Sequence, residues 1–251
     1  MSREGKPVYP QITEYRVEAD LPESLVFLVI SDIHGAAAGP LIDALESVSP
    51  DAVLMPGDYF HGPEMYLTGA EFIREAAKRR PVFCSLGNHE MKCDFDVARE
   101  VGRCGAVLLD NGSADFKGVK IGGLTTGCKK LEKQAHFRAT PPPDKRWLNE
   151  FSRGDGFKIL LSHHPEYYPK YIKGLPIDLV LSGHAHGGQW RFFDRGVFAP
   201  GQGFFPKYTS GAYEGRLIVS RGVGNAHLIP RINNKPEVLL IKITAKNRPL
   251  T

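Results

Sequence analysis

Several things are scarce in this sequence, and each shortage closes off a class of protein. The four cysteines, Cys84, Cys93, Cys104 and Cys128, show no C-x-x-C spacing. They are too few for a disulfide scaffold and wrongly spaced for a thiolate zinc site, which points to a reducing compartment. No apolar run reaches the roughly 18 residues of a membrane span, and residues 1–20 mix charges of both signs without an apolar core segment. Neither a membrane helix nor a signal peptide is therefore expected, and the protein reads as cytoplasmic. Blocks of basic residues are missing too: 32 Lys and Arg against 28 Asp and Glu leave a net charge of +4, scattered along the chain. That is no strong nucleic-acid signal, because such binding needs a concentrated basic face. Internal repeats and low-complexity tracts are also lacking.

What is present is ordinary globular material: 251 residues, 42% hydrophobic and 24% charged, enough to bury a core unaided. Residues 25–30 form a continuous apolar run, the mark of a strand buried on both faces. A helix is predicted over 41–48, stopped by Ser49-Pro50, then a strand at 52–55 and a helix over 65–79 before Pro81. A strand at 82–86 and a helix to about residue 101 follow. Such alternation predicts parallel β-α-β units, in which ligands bind beyond the carboxyl ends of the strands. Residues 106–127 change to short strands around Asn111-Gly112 and Gly118. Residues 128–144 read as a polar excursion with one short helix. Strands are then expected at 157–161 and 177–181, and, without long helices between them, at 190–193, 217–220 and 238–243. The last third should be more antiparallel. The division expected is an N-terminal extension over 1–24, a single domain over 25–245 and a tail over 246–251.

The strand ends carry the polar clusters: Asp32-x-His34, Gly57-Asp58, Gly87-Asn88-His89-Glu90, His163-His164-Pro165 and Gly183-His184-Ala185-His186-Gly187-Gly188. Singly, each has a plainer reading. Asp32 and Asp58 fit helix N-caps, Asn88 fits a turn beside Gly87, and His163-His164-Pro165 fits a surface loop. Together, at five strand ends, they offer imidazole nitrogens with carboxylate and amide oxygens and no thiolate, a set that suits Mn²⁺, Fe or Zn²⁺. Seven candidate ligands (Asp32, His34, Asp58, Asn88, His163, His184 and His186) exceed the needs of one ion with an open position. They suit two divalent transition-metal ions sharing a carboxylate. Such a pair clamps a phosphoryl group and activates water, so the expected reaction is phosphoester hydrolysis by a hydroxide held on the metals. His89 is the spare imidazole for the leaving group.

Other residues stay open. His164 reads as an outer or surface residue. Glu90 reads either as a carboxylate orienting an imidazole or as a helix N-terminal charge. His61, His136 and His227 lack partners by spacing and read as structural or exposed. Arg221 either contacts a phosphate or turns a strand end. Residues 60–70, 128–144 and 187–213 are expected at the cleft rim, where Phe204, Phe205, Tyr208 and Tyr213 either meet substrate or pack a loop.

In order and spacing these motifs resemble the calcineurin-like metallophosphoesterase superfamily, over residues 25–243. The strings Ser182-Gly183-His184-Ala185-His186-Gly187-Gly188-Gln189 and Ser220-Arg221-Gly222-Val223-Gly224 look like a branch of bacterial phosphodiesterases related to lipid-precursor pyrophosphatases. The resemblance implies an α/β fold, a four-layer α/β/β/α sandwich of two mixed sheets. It implies Asp32, His34 and His186 on one metal, Asn88, His163 and His184 on the other, Asp58 bridging, and His89 acting on the leaving group. The implied substrate is a phosphorylated small molecule or lipid precursor with a phosphodiester or pyrophosphate bond. Two departures stand out: Glu90 replaces an aspartate common among relatives, and the N-terminal membrane anchor of many relatives in this branch is not seen. A non-catalytic scaffold of the same fold, or a nuclease, is the alternative.

Overall fold

The computed structural model describes residues 8–128, 139–225 and 230–246. In chain order, β1 (Gln11–Ala19) and β2 (Leu25–Val29) precede α1 (Ala38–Val48), β3 (Ala52–Pro56), α2 (Gly62–Ala77) and β4 (Val82–Ser85). Next come α3 (Val97–Arg103), β5 (Val107–Leu108), β6 (Gly112–Phe116), β7 (Val119–Leu124), α4 (Lys145–Ser152), β8 (Phe157–Ser162) and β9 (Leu179–Ser182). Two small hairpins follow, β10 (Arg191–Phe192) with β11 (Arg195–Gly196) and β12 (Phe198–Ala199) with β13 (Gly203–Phe204). The chain finishes with β14 (Gly211–Tyr213), β15 (Leu217–Val219) and β16 (Glu237–Ala245).

Two six-stranded sheets result, ordered β1-β16-β2-β3-β4-β5 and β14-β15-β9-β8-β7-β6. Both are mixed: β2, β3, β4 and β5 run parallel, as do β7, β8, β9 and β15, while β16 opposes β2 and β6 opposes β7. The alternation of side chains along each strand builds the layers. In the first sheet Phe27, Val29 and Leu54 turn toward the second sheet, where Ile159, Leu161, Leu179 and Leu181 meet them. Leu28, Ile30, Val53 and Met55 turn the other way, onto Leu41, Leu45, Phe72 and Ile73 of α1 and α2. On the far side Leu160 and Val180 pack on Leu148 and Phe151 of α4 and on Tyr168 and Ile172. Three apolar seams thus separate four layers, α/β/β/α, and strands buried on both faces explain the unbroken apolar runs. Each such Leu, Ile or Phe withdrawn from water contributes about 1.5–3 kcal/mol.

Three details amend or extend the expected layout. Within the expected N-terminal extension, residues 11–19 form β1, which lies parallel to β16 at the edge of the first sheet, from Gln11 opposite Glu237 to Ala19 opposite Ala245. Its alternating charged residues belong to a half-exposed edge strand. The short helix expected within 128–144 falls mostly on residues 129–138, which lie outside the described residues; α4 begins at Lys145, capped by the Asp144 carboxylate on Trp147 N–H at 3.0 Å. The strand expected over 190–193 is cut to Arg191–Phe192 because Phe193 and Asp194 turn the chain back with positive φ. Among the described residues all four cysteines are buried and outside any disulfide, and no helix is long and apolar enough to cross a membrane.

Candidate metal centre

The carboxyl ends of β2, β3 and β4 in one sheet and of β8 and β9 in the other open on the same edge, and the polar clusters meet there. Nearly all of them are out of water: Asp32, Asp58, His163, His184 and His186 are each at most 6% exposed. One ligand atom from each of Asp32, His34 and His186 lies within 4.8 Å of the others, and the same holds for Asp58, His163 and His184. Asp58 stands between the two groups. Its Oδ2 lies 3.6 Å from His34 Nε2 and 3.1 Å from His163 Nε2. Asn88 follows β4 and is 5% exposed.

The backbone bends hard to bring these side chains together. Five ligand candidates, Asp32, His34, Asp58, His184 and His186, hold φ between 39° and 66°, a region that costs an L-residue roughly 1–2 kcal/mol. Cross-bonds between loops keep them there: Ile33 N–H donates to Asp58 O at 2.9 Å, and Gly224 N–H to Asp32 O at 2.7 Å. At Gly57 φ is +92°, the backbone region glycine reaches without strain. Gly183 serves by close approach, since a methyl there would overlap Asp32 Oδ2 and Ser31 Oγ. Gly183→Ala is therefore expected to push Asp32 aside and weaken metal binding by about tenfold or more. Metal stoichiometry measured beside an unchanged far-UV CD spectrum checks this. A variant binding metal like the parent would show that the close packing is irrelevant.

Proton placement shows what the cavity wants. His163 Nδ1 lies 2.9 Å from the Pro56 carbonyl, which can only accept, so Nδ1 carries the proton. In the neutral ring Nε2 is then bare, 3.1 Å from Asp58 Oδ2 and 3.2 Å from His184 Nδ1. In that neutral pair His184 Nδ1 is the donor, and the Asp58 oxygen is left facing a bare nitrogen. Burial opposes a charge on His163, yet Asp58, ahead of Asp32 and Glu90, pushes its pKa up to about 10. Burial alone would raise Asp32 and Asp58, but His186 beside the first and His163 beside the second hold both below the usual carboxylate range. The site asks for positive charge. His34 Nε2 and Asn88 Oδ1 are buried without a hydrogen-bond partner, as atoms awaiting a cation would be. A buried set of imidazole, carboxylate and amide donors fits divalent transition metals.

His89 faces the same cavity with its Nε2 3.9 Å from Asp58 Oδ2 and its side chain 15% exposed, whereas His34, His163 and His186 are at most 3% exposed there. It is more open to solvent than those three imidazoles. Asp58 Oδ1 accepts its backbone N–H at 2.9 Å. Glu90 opens the short helical turn Glu90–Lys92 as its acidic first residue, one of the two places expected for it. Its buried carboxylate accepts N–H groups of Asp58, Phe60 and Gly87 at 2.8–2.9 Å, lacing the ends of β3 and β4 together. Burial, then the charge of Asp58, push it up to about 7 against those donors.

Several residues stand elsewhere than their spacing suggested. His164 is buried, not superficial: Nε2 lies 2.8 Å from Thr126 Oγ1, Nδ1 lies 3.5 Å from Glu166, and its ring packs 4.2 Å from that of His184. His61 belongs to the site as well, with Nδ1 2.7 Å from His34 Nδ1. Its position three residues past Asp58, at the same strand-to-helix junction, was the signal that could have found it. Arg221 is held by Glu237 at 2.9 Å and by Gln11 at 3.2 Å. The arginine beside the ligands is Arg231, whose Nη2 lies 3.3 Å from His186 Nδ1 and also donates to Gly224 O. No spacing links it to the strand ends. His136 and His227 lie outside the described residues. Of the rim aromatics, Phe204 and Phe205 are exposed, while Tyr208 is buried against Tyr213.

Comparison with known proteins agrees with this chemistry. A family model described as calcineurin-like phosphoesterase matches residues 25–188. The chain is 36% identical over 216 residues to the uncharacterized metallophosphoesterase YkuE of Bacillus subtilis (strain 168), covering 82% of this chain and 72% of that protein. It is 26% identical over 243 residues to phosphodiesterase YaeI of Escherichia coli (strain K12), covering 86% and 81%. An uncharacterized metallophosphoesterase of Aquifex aeolicus (strain VF5) is 28% identical over 266 residues, covering 94% and 92%.

Proposed function

Because this chain belongs to the calcineurin-like phosphoesterase family and is a metal-dependent phosphoesterase, we propose that it hydrolyses phosphodiester or pyrophosphate bonds with two divalent ions side by side. Asp32, His34 and His186 would hold one ion, Asn88, His163 and His184 the other, and Asp58 would serve both. The position of Asp58 Oδ2, 3.6 Å from His34 and 3.1 Å from His163, carries the reading, because one carboxylate reaches both groups. Bound there, paired ions polarise a phosphoryl group and bring the pKa of water near neutrality.

The chain's own residues do the rest. The β-strand ends fix the ligands before substrate arrives, so no reorganisation is needed as charge develops. His89, tied by its backbone to Asp58, presents its imidazole to the phosphoryl and leaving oxygens and stabilises the charge that grows on them. The substrate is a phosphorylated small molecule. A scaffold role is disfavoured, since no ligand position is vacated.

The test is hydrolysis of a generic aryl phosphodiester by the purified chain with added Mn²⁺. His89→Ala is expected to lower kcat by about 10²–10³-fold with metal content unchanged. If the metal-loaded protein turns over no phosphodiester, monoester or pyrophosphate, the reading is wrong.

A further inference from the structure

His61 precedes α2 as its N-cap residue, and its Nδ1 lies 2.7 Å from Nδ1 of His34. Two bare nitrogens at that distance repel and two N–H groups collide, so one ring donates and the other accepts. Resting on the reading above, in which His34 offers Nε2 to an ion, the roles are fixed. That Nε2 must be bare, and it is indeed buried without a partner. The single proton of neutral His34 then sits on Nδ1 and points at His61, whose Nδ1 accepts and whose own proton moves to Nε2. His163 secures the same tautomer with the Pro56 carbonyl; for His34, His61 is the partner among the described residues.

We propose that His61 is a positioning residue of the first metal site. It accepts the His34 N–H, fixes the tautomer and ring plane of that ligand and raises its basicity, as outer partners of metal-bound histidines do. Its ring also packs on His89, with centroids 4.0 Å apart at 31°. One side chain thereby ties a ligand of the first ion to the imidazole that meets substrate. The Asp58-Tyr59-Phe60-His61 segment is held for this task, since Glu90 accepts the N–H groups of Asp58 and Phe60.

The experiment is titration of the metal-free full-length chain with Mn²⁺ against a fluorescent chelator, with far-UV CD to verify folding. His61→Ala is expected to weaken the first ion by about 10–100-fold and leave the second unchanged. His61→Asn, whose Oδ1 takes the place of Nδ1 as acceptor, should recover most of that loss. Histidine ¹⁵N spectra of the zinc-loaded chain should show His34 protonated at Nδ1 in the parent and in His61→Asn. A His61→Ala variant binding both ions like the parent overturns the proposal, as does a His61→Asn variant no better than the alanine. Those results leave the phosphoesterase reading standing, whereas a parent chain that binds no ion overturns both.

Discussion

Asp58→Asn should abolish turnover, lowering kcat/KM by about 10³-fold or more, equivalent to roughly 4 kcal/mol of transition-state stabilisation. The amide matches the carboxylate in shape, so the loss is one of charge and of acceptors. Both oxygens of Asp58 are committed: Oδ1 accepts the His89 N–H at 2.9 Å, and Oδ2 faces His34, His163 and His89 at 3.6, 3.1 and 3.9 Å. An amide has one acceptor. Whichever way the substituted side chain turns, its NH₂ meets either the His89 N–H or the place where a cation belongs. Elemental analysis of the dialysed variant should show less than one ion per chain, and initial rates at saturating Mn²⁺ should stay at background. Retention of both ions with a rate within tenfold of the parent would remove Asp58 from its bridging role.

The second large effect concerns stability. Stripping the metal should lower Tm by about 10–20 °C. An ion at a hundred times its Kd adds about 2.7 kcal/mol, and a domain of this size shifts by roughly 2–4 °C per kcal/mol, so two ions account for the range. The ligands come from strand ends in both sheets, and without the ions buried carboxylates face one another across the gap. The deficit should also depend on pH. In the metal-free protein His163 is raised to about 10 from an ordinary 6.5, burial being overcome by Asp58. A raised histidine contributes stability that is whole below pH 6.5 and lost as pH climbs toward 10. Its proton stands in for the absent cation. The gap in Tm between loaded and stripped protein should therefore widen from pH 6.5 upward, as calorimetry across that range would show. A stripped protein within about 2 °C of the loaded one would mean that the ions add little to folding.

Much of this was open to reading because strands buried on both faces leave unbroken apolar runs, and the polar residues that end such runs stand out. Asp32, Asp58, Asn88, His163 and His184 were visible for that reason. The residues behind them were not. His164, Glu166 and Thr126 meet only after β7 and β8 pair, and nothing in their spacing announces it. Arg221 and Arg231 illustrate the limit from the other side. The first lies in a Gly-rich loop of the right character, but Glu237 at the start of β16 captures it. The second reaches His186 from a segment with no pattern at all. Pairing of β1 with β16 joins residues more than 200 positions apart, and only the fold brings those two together.

The left-handed backbone at Asp32, His34, Asp58, His184 and His186 sets selection for activity against selection for stability. At each of these positions glycine would relieve strain of about 1–2 kcal/mol, but it would also forfeit a ligand of an ion worth about 2.7 kcal/mol, so the trade turns against the ligands only in a chain that has already stopped binding metal. A duplicated copy that no longer binds metal keeps the strain without the ions that offset it, so it should drift first at these five sites, toward glycine. Retired members of the family would then be known by glycine at these strand ends, before any assay is run.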